Sequence, residues 1–198
     1  MITFKKKEII YRPYEPIMKL ISDLIMIICT AYLLVTSFFS NTTIVGHSMN
    51  DTLQNGDTVL INSIAYKFNP PSRYDVIVFE PKIGNVSQYY VKRVIGLPGE
   101  TIQIKDGRVY IDNNLLEDDV ITTEIHNAGL AEDPIVLGYN EYFVLGDNRN
   151  NSDDSRFSNV GLVKGDTIIG KPWLTVYPFS SFGIINAKEP VSDDKEAE

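Results

Sequence analysis

The sequence predicts a mainly β domain, built as an antiparallel sheet, behind one N-terminal transmembrane α-helix. Three observations lead there. An apolar run from about Ile17 to Phe39 is long enough to cross a bilayer. Beyond it the pattern changes to short β-like runs separated by turn residues, with no stretch of convincing helical period. Within those runs, alternating residues flank an Asp-Gly dipeptide, which favours a two-residue hairpin because both turn positions tolerate positive φ.

The apolar run would extend roughly 34 Å as a helix at about 1.5 Å per residue, against a hydrocarbon core of ~30 Å. Its only charges, Lys19 and Asp23, fall in the first turns, where they reach the interface. A core helix would instead carry a polar face. A cleavable signal peptide would end in a small-x-small site, which Thr36-Ser37-Phe38-Phe39-Ser40 does not supply, so the helix is expected to stay uncleaved. Lys5, Lys6, Lys7, Arg12 and Lys19 outweigh Glu8, Glu15 and Asp23, so the chain is about +2 up to Phe39 and about −10 beyond it. By the positive-inside rule residues 1–16 lie in the cytoplasm, 17–39 span the membrane, and everything from 40 onward lies outside. The formal net charge of −8 excludes a nucleic-acid partner, which needs a basic surface. The only cysteine, Cys29, sits in the membrane segment, so the outer domain has no disulfide.

The outer domain spans residues 40–187. Expected strands are Thr58–Asn62, Asp75–Phe79, Tyr89–Ile95, Thr101–Ile104, Arg108–Ile111, Tyr142–Leu145 and Thr167–Gly170, with a short helical turn around Ser63–Lys67. Asp106-Gly107 forms the hairpin, and Asp112-Asn113-Asn114 turns the chain again. Residues 115–140 are less patterned and acidic, and read as an excursion between two better-ordered halves. The acidic tail, 188–198, lacks large apolar residues and is expected to be disordered.

Two residues carry the chemistry. Ser48, in Gly46-His47-Ser48-Met49-Asn50-Asp51-Thr52-Leu53, follows the membrane run closely. A serine hydroxyl is a poor nucleophile until a base takes its proton, and taken alone such a serine is more often a turn residue. Lys92 interrupts an apolar strand pattern, Tyr90-Val91-Lys92-Arg93-Val94-Ile95, bounded by Gly96-Leu97-Pro98-Gly99. Taken alone, it is more often an edge lysine that blocks aggregation or one that snorkels to water. A third segment supplies the context: Leu145-Gly146-Asp147-Asn148-Arg149-Asn150-Asn151-Ser152-Asp153-Asp154-Ser155-Arg156, followed by Gly161-Leu162-Val163.

The order of these three segments, the first just past an anchor, resembles bacterial type I signal peptidases, the leader peptidase family of Ser-Lys dyad serine proteases. They look like its serine, lysine and Gly-Asp-Asn-Arg boxes, and Arg73 to Phe79 looks like its intervening Asp-Ile-Val-Val-Phe strand. The resemblance runs from the anchor to about Phe182 and implies the signal-peptidase/LexA-like fold. It makes Ser48 the nucleophile and Lys92 the general base, which also activates the hydrolytic water. A free lysine is only about 0.04% neutral at pH 7, so the site must depress its pKa by burial. Ser152 matches the serine that hydrogen-bonds and positions the lysine. Asp147, Asn148, Arg149, Asp154 and Arg156 look like a supporting network for that loop, with carboxylate–arginine pairs giving direction.

The Ser48 backbone N–H is the first oxyanion donor. Some members add a hydroxyl two residues earlier, where this chain has Gly46, so any second donor is a group in the Gly46 region. Asp51 stands where many members have proline. Ile44, Met49, Leu53, Tyr90 and Val91 match positions that line shallow apolar pockets for small residues one and three before the cut. The resemblance implies cleavage of signal peptides from exported preproteins, a substrate bound as an added strand, a bilayer partner, a place near the secretion translocon, and no metal or cofactor. Three other readings compete with this one. A Ser-His-Asp triad is disfavoured, because His47 adjoins Ser48 and points to the other face, while His126 lies in the least patterned region. A silent relative would have lost Ser48 or Lys92. A self-cleaving Ser-Lys regulator would carry a DNA-binding module in place of the anchor.

Overall fold

The computed structural model describes residues 14–81, 88–117 and 120–185. The basic stretch Lys5 to Arg12, the acidic pair Asp118 and Asp119, and the tail 188–198 lie outside the described residues. The chain divides into two compact units, Met1–Phe38 and Phe39–Glu198.

The first unit holds α1, Glu15–Phe38, with Glu15 in its first turn. Pro16 is tolerated there because first-turn amides have no intrahelical partner. An 18-residue window with a mean hydropathy of 2.0 and none of it buried makes α1 long and apolar enough to cross a membrane. Leu20 and Leu33 are among its exposed side chains, so it is no core helix. Its hydroxyls are satisfied inside the helix: Thr30 donates to the Met26 carbonyl at 2.8 Å and Ser37 to Leu33 at 2.7 Å. That suits a medium offering no water.

The second unit is mainly antiparallel β. Its strands are β1 Phe39–Thr43, β2 Thr58–Asn62, β3 Val76–Phe79, β4 Tyr90–Gly96, β5 Thr101–Lys105 and β6 Arg108–Ile111. They continue with β7 Asn114–Leu115, β8 Ile135–Val136, β9 Glu141–Leu145, β10 Val163–Lys164, β11 Ile168–Tyr177 and β12 Gly183–Ile184. A larger sheet runs β1-β2-β11-β3-β4-β9-β10, with β12 on β11, and a four-stranded sheet runs β7-β6-β5-β8. A short helix, α2 Ala65–Phe68, follows β2. The β5–β6 turn has Asp106 at φ 47° and Gly107 at φ 71°, the positive pair that Asp-Gly was expected to provide.

Two strands differ from expectation for stated reasons. β1 is absent from the expected strands: the sequence places Phe39 at the end of the membrane run, and the polar Ser-Asn-Thr-Thr that follows lacks apolar alternation. It pairs with β2 from Phe39↔Asn62 to Thr43↔Thr58. β11 continues past Gly170 through Pro172 to Tyr177. A proline cannot donate to a ladder, yet here the pairing with β3 has already ended at Gly170 and the register with β2 shifts between Pro172 and Leu174.

The segment read as an excursion closes the small sheet. Val120, Ile125, Ala131 and Leu137 are buried with Ile102, Ile104, Val109 and Phe143 in one core cluster. A second cluster gathers Ile44, Met49, Leu53, Val59, Ile61, Val76, Val78 and Val91, directly under the serine segment.

Candidate active site

The serine segment is held by its own local pattern. After β1, the Ile44 amide donates to the Asp57 carbonyl at 2.7 Å and the Gly56 amide to Ile44 at 2.9 Å, which carries the chain on past the strand. Gly46 turns it at φ 99°, in the region glycine favours. Met49 and Leu53 are each 1% exposed and lie one helical turn apart, with the Leu53 amide donating to the Met49 carbonyl at 2.8 Å. Burying these two side chains pins the turn to the core and leaves Ser48 half-buried at the surface.

Lys92 comes from β4, whose neighbours are β3 on one side and β9 on the other. It pairs with Ile77 in the middle of the sheet, so it is neither an edge guard nor a snorkelling residue. At 4% exposure its Nζ lies 2.7 Å from Ser48 Oγ. Burial pushes its pKa down to about 8, while the charges of Asp154, Asp153 and Asp147 pull the other way. A mostly buried amine at hydrogen-bond distance from a serine hydroxyl can take its proton.

The Gly-Asp-Asn-Arg loop follows β9 and braces both. The Asn148 amide donates to the Ser48 carbonyl at 3.0 Å, and Asn148 Nδ2 donates to the His47 carbonyl at 3.1 Å. Arg156 donates from Nε to Asp154 Oδ1 at 2.8 Å and from Nη2 to Oδ2 at 2.9 Å. It also reaches the Arg149 carbonyl at 2.6 Å and the Asn127 carbonyl at 3.0 Å. Asp154 accepts the Gly146 amide at 3.1 Å, and the Arg149 amide donates to the Asp147 carbonyl at 2.9 Å.

Arg93 was missing from the expected network. It donates to Asp147 from Nε at 2.7 Å and from Nη2 at 2.6 Å, with both side chains wholly buried, and from Nη1 to the Tyr74 carbonyl at 2.9 Å. Thr52 also donates to Asp147. The sequence signal was a second charged residue beside Lys92 inside one apolar strand. Successive strand residues point to opposite faces, so Arg93 needed a buried partner of its own.

Three expected assignments differ. Ser152 lines the cleft with Ser48 and Lys92, but its buried Oγ makes no hydrogen bond, so it does not hold the lysine as expected. It is packed against the backbone of Gly146, where a Cβ would strike both Ser152 and the Ser48 carbonyl. The Gly46 amide donates to Asn55 Oδ1 at 2.9 Å, so it is already engaged and cannot serve an oxyanion. Among the described residues the Ser48 amide has no protein acceptor. Leu53 lies beneath the cleft and does not line it. Ile44, Met49, Tyr90 and Val91 do line it, around a space of about 670 Å³. His47 and His126 are exposed, and neither hydrogen-bonds Ser48.

The model of the family described as signal peptidase, peptidase S26, matches residues 17–177. The probable signal peptidase I-2 of Synechocystis sp. is 32% identical over 155 residues, covering 76% of this chain and 66% of its own. Signal peptidase I of Leptolyngbya laminosa is 39% identical over 142 residues, with 69% and 68% covered. Signal peptidase I P of Bacillus subtilis subsp. natto is 30% identical over 182 residues, with 88% and 96% covered. The chain thus spans about two thirds of the length of the first two and nearly all of the third.

Proposed function

The chain belongs to the signal peptidase family, peptidase S26, and from that premise we propose that it is a single-pass membrane serine endopeptidase that cuts signal peptides from exported preproteins with a Ser48–Lys92 dyad. The observation that carries the dyad is the 2.7 Å approach of the buried Lys92 Nζ to Ser48 Oγ in an open cleft. Neutral Lys92 takes the hydroxyl proton as Oγ attacks the scissile carbonyl. The Ser48 amide receives the developing oxyanion. Lys92, now charged, gives its proton to the leaving amine and leaves an ester on Ser48. It then takes a proton from water, whose oxygen attacks the ester, and returns that proton to Ser48.

Small side chains one and three residues before the cut suit the shallow surface made by Ile44, Met49, Tyr90 and Val91. The positive-inside charge pattern supports a cytoplasmic N-terminus and an outer peptidase domain, and a place near the secretion translocon follows only from the proposed substrate. A lipid partner has support beyond α1. Trp173, Phe179, Phe182 and Ile184 expose apolar surface on the second unit, and Trp173 packs on Phe39, the first residue after α1, with ring centroids 5.7 Å apart. The test is cleavage of a preprotein by the full chain in detergent or bilayers. Ser48→Ala and Lys92→Ala should each abolish product, and cleavage by either variant at the parent rate would overturn the dyad.

A further inference from the structure

Two walls of different chemistry form the cleft. One is largely apolar, from Ile44, Val45 and Met49 with Tyr89 to Val91; the other is Asn150, Asn151, Ser152, Asp153 and Phe157. The ionisable side chains among the lining residues besides the tyrosines are Lys92, His47 and Asp153. Asp153 sits between two engaged neighbours, since Asp154 is held by Arg156 and, earlier in the same loop, Asp147 is held by Arg93. Asp153 itself is exposed and has neither an ion pair nor a hydrogen bond among the described residues. Substrate binds with Lys92 neutral, so until the Ser48 proton moves the cleft holds the Asp153 carboxylate with no charged partner on its polar wall. In a concave site bounded by protein, such a charge acts on a ligand more strongly than on a flat surface.

Resting on the peptidase reading above, we propose that Asp153 is a specificity-determining residue that favours basic and disfavours acidic side chains at the first residues after the cut. The acyl half of the substrate occupies the apolar wall with its small side chains. The leaving half then continues beyond Ser48 along the wall from Asn150 to Asp153. A lysine there gains an unpaired counter-charge, whereas a glutamate meets a like charge.

The test uses the full chain in detergent micelles and internally quenched signal-peptide substrates with Lys, Gln or Glu at the first or second residue after the cut. The parent should cleave the Lys peptide with kcat/KM ~3- to 10-fold above the Glu peptide at low salt, the range of a partly screened charge pair, and the ratio should shrink as salt rises. Asp153→Asn should bring the ratio close to one, and Asp153→Lys should reverse it. Taking ratios within each variant cancels any common change in Lys92 basicity. Asp133→Asn, at an exposed carboxylate outside the cleft, should keep the parent ratio. If Asp153→Asn and Asp153→Lys retain the parent's order, or if charge matters only before the cut, the assignment is wrong. If the parent cleaves the Gln peptide without any charge preference, the Asp153 assignment fails and the peptidase reading stands. If the parent cleaves none of the peptides, the peptidase reading itself fails.

Discussion

Two opposed influences set the proton affinity of Lys92, and titration can separate them. Burial lowers its pKa from 10.5 to about 8, and the carboxylates of Asp154, Asp153 and Asp147 limit the fall. The neutral, proton-accepting form therefore grows as pH rises through about 8 and is lost on acidification. The expected kcat/KM profile climbs from neutral pH and levels off above that pKa; full activity well below neutrality would rule out a lysine base. At the same scale, Arg93 and Asp147 form a pair with 0% exposure on both sides. Arg93→Met strands a buried carboxylate and should cost about 3–5 kcal/mol, while replacing both partners with apolar residues should recover much of it. Thermal unfolding of the single and double variants checks this, and equal loss in both would contradict it. Ser48 and Lys92 were legible because their segments have the right order and neighbours. The partner of Arg93 was not, because residues 93 and 147 meet only once β4 pairs with β9. Nor does the presence of Ser152 in its box say where its hydroxyl will point.

Among the elements, the turn after β1 shows how packing presents Ser48 at the surface. Met49 and Leu53 are both 1% exposed, yet only Met49 also lines the cleft. Leu53→Ala should thus destabilise the unit by about 2–5 kcal/mol, as core truncations do, and leave the preference for small residues before the cut unchanged. A substitution series at those substrate positions, run beside a melting curve, decides the point. A changed preference at unchanged stability would return Leu53 to the binding surface. β-Runs with strong alternation, such as those around Asp106-Gly107, could be read directly because their pattern and turn agree. β1 could not, since a polar edge strand lacks the apolar alternation that marks burial. The length of β11 was hidden by Pro172, which is tolerated only because of the register shift beside it.

For the whole molecule, the question is how much of the protein meets lipid. α1 has the length and hydropathy of a span, but the second unit also leaves Trp173 44% exposed, Phe179 84%, Phe182 60% and Ile184 66%. Trp173 belongs to β11, and β12 pairs with β11 through Leu174↔Ile184, so Ile184 sits one register position from Trp173 and, by strand alternation, on the other face of the sheet. Phe39 lies against Trp173 and follows directly on the last residue of α1 in the chain, and on the membrane-anchored reading proposed above Trp173 is expected near the interface. Aromatic rings are favoured at that depth because one end is apolar and the other tolerates water. Trp173 is the only tryptophan in the sequence, so its fluorescence reports on this surface alone. In the full chain reconstituted into bilayers, lipids brominated near the headgroup end of the acyl chain should quench that emission, and aqueous iodide should not. Phe179→Ser with Phe182→Ser should weaken the lipid quenching while α1 keeps the protein in the vesicles. If iodide quenches Trp173 freely and brominated lipid does not, α1 is the sole contact with the membrane and the exposed aromatics await another partner.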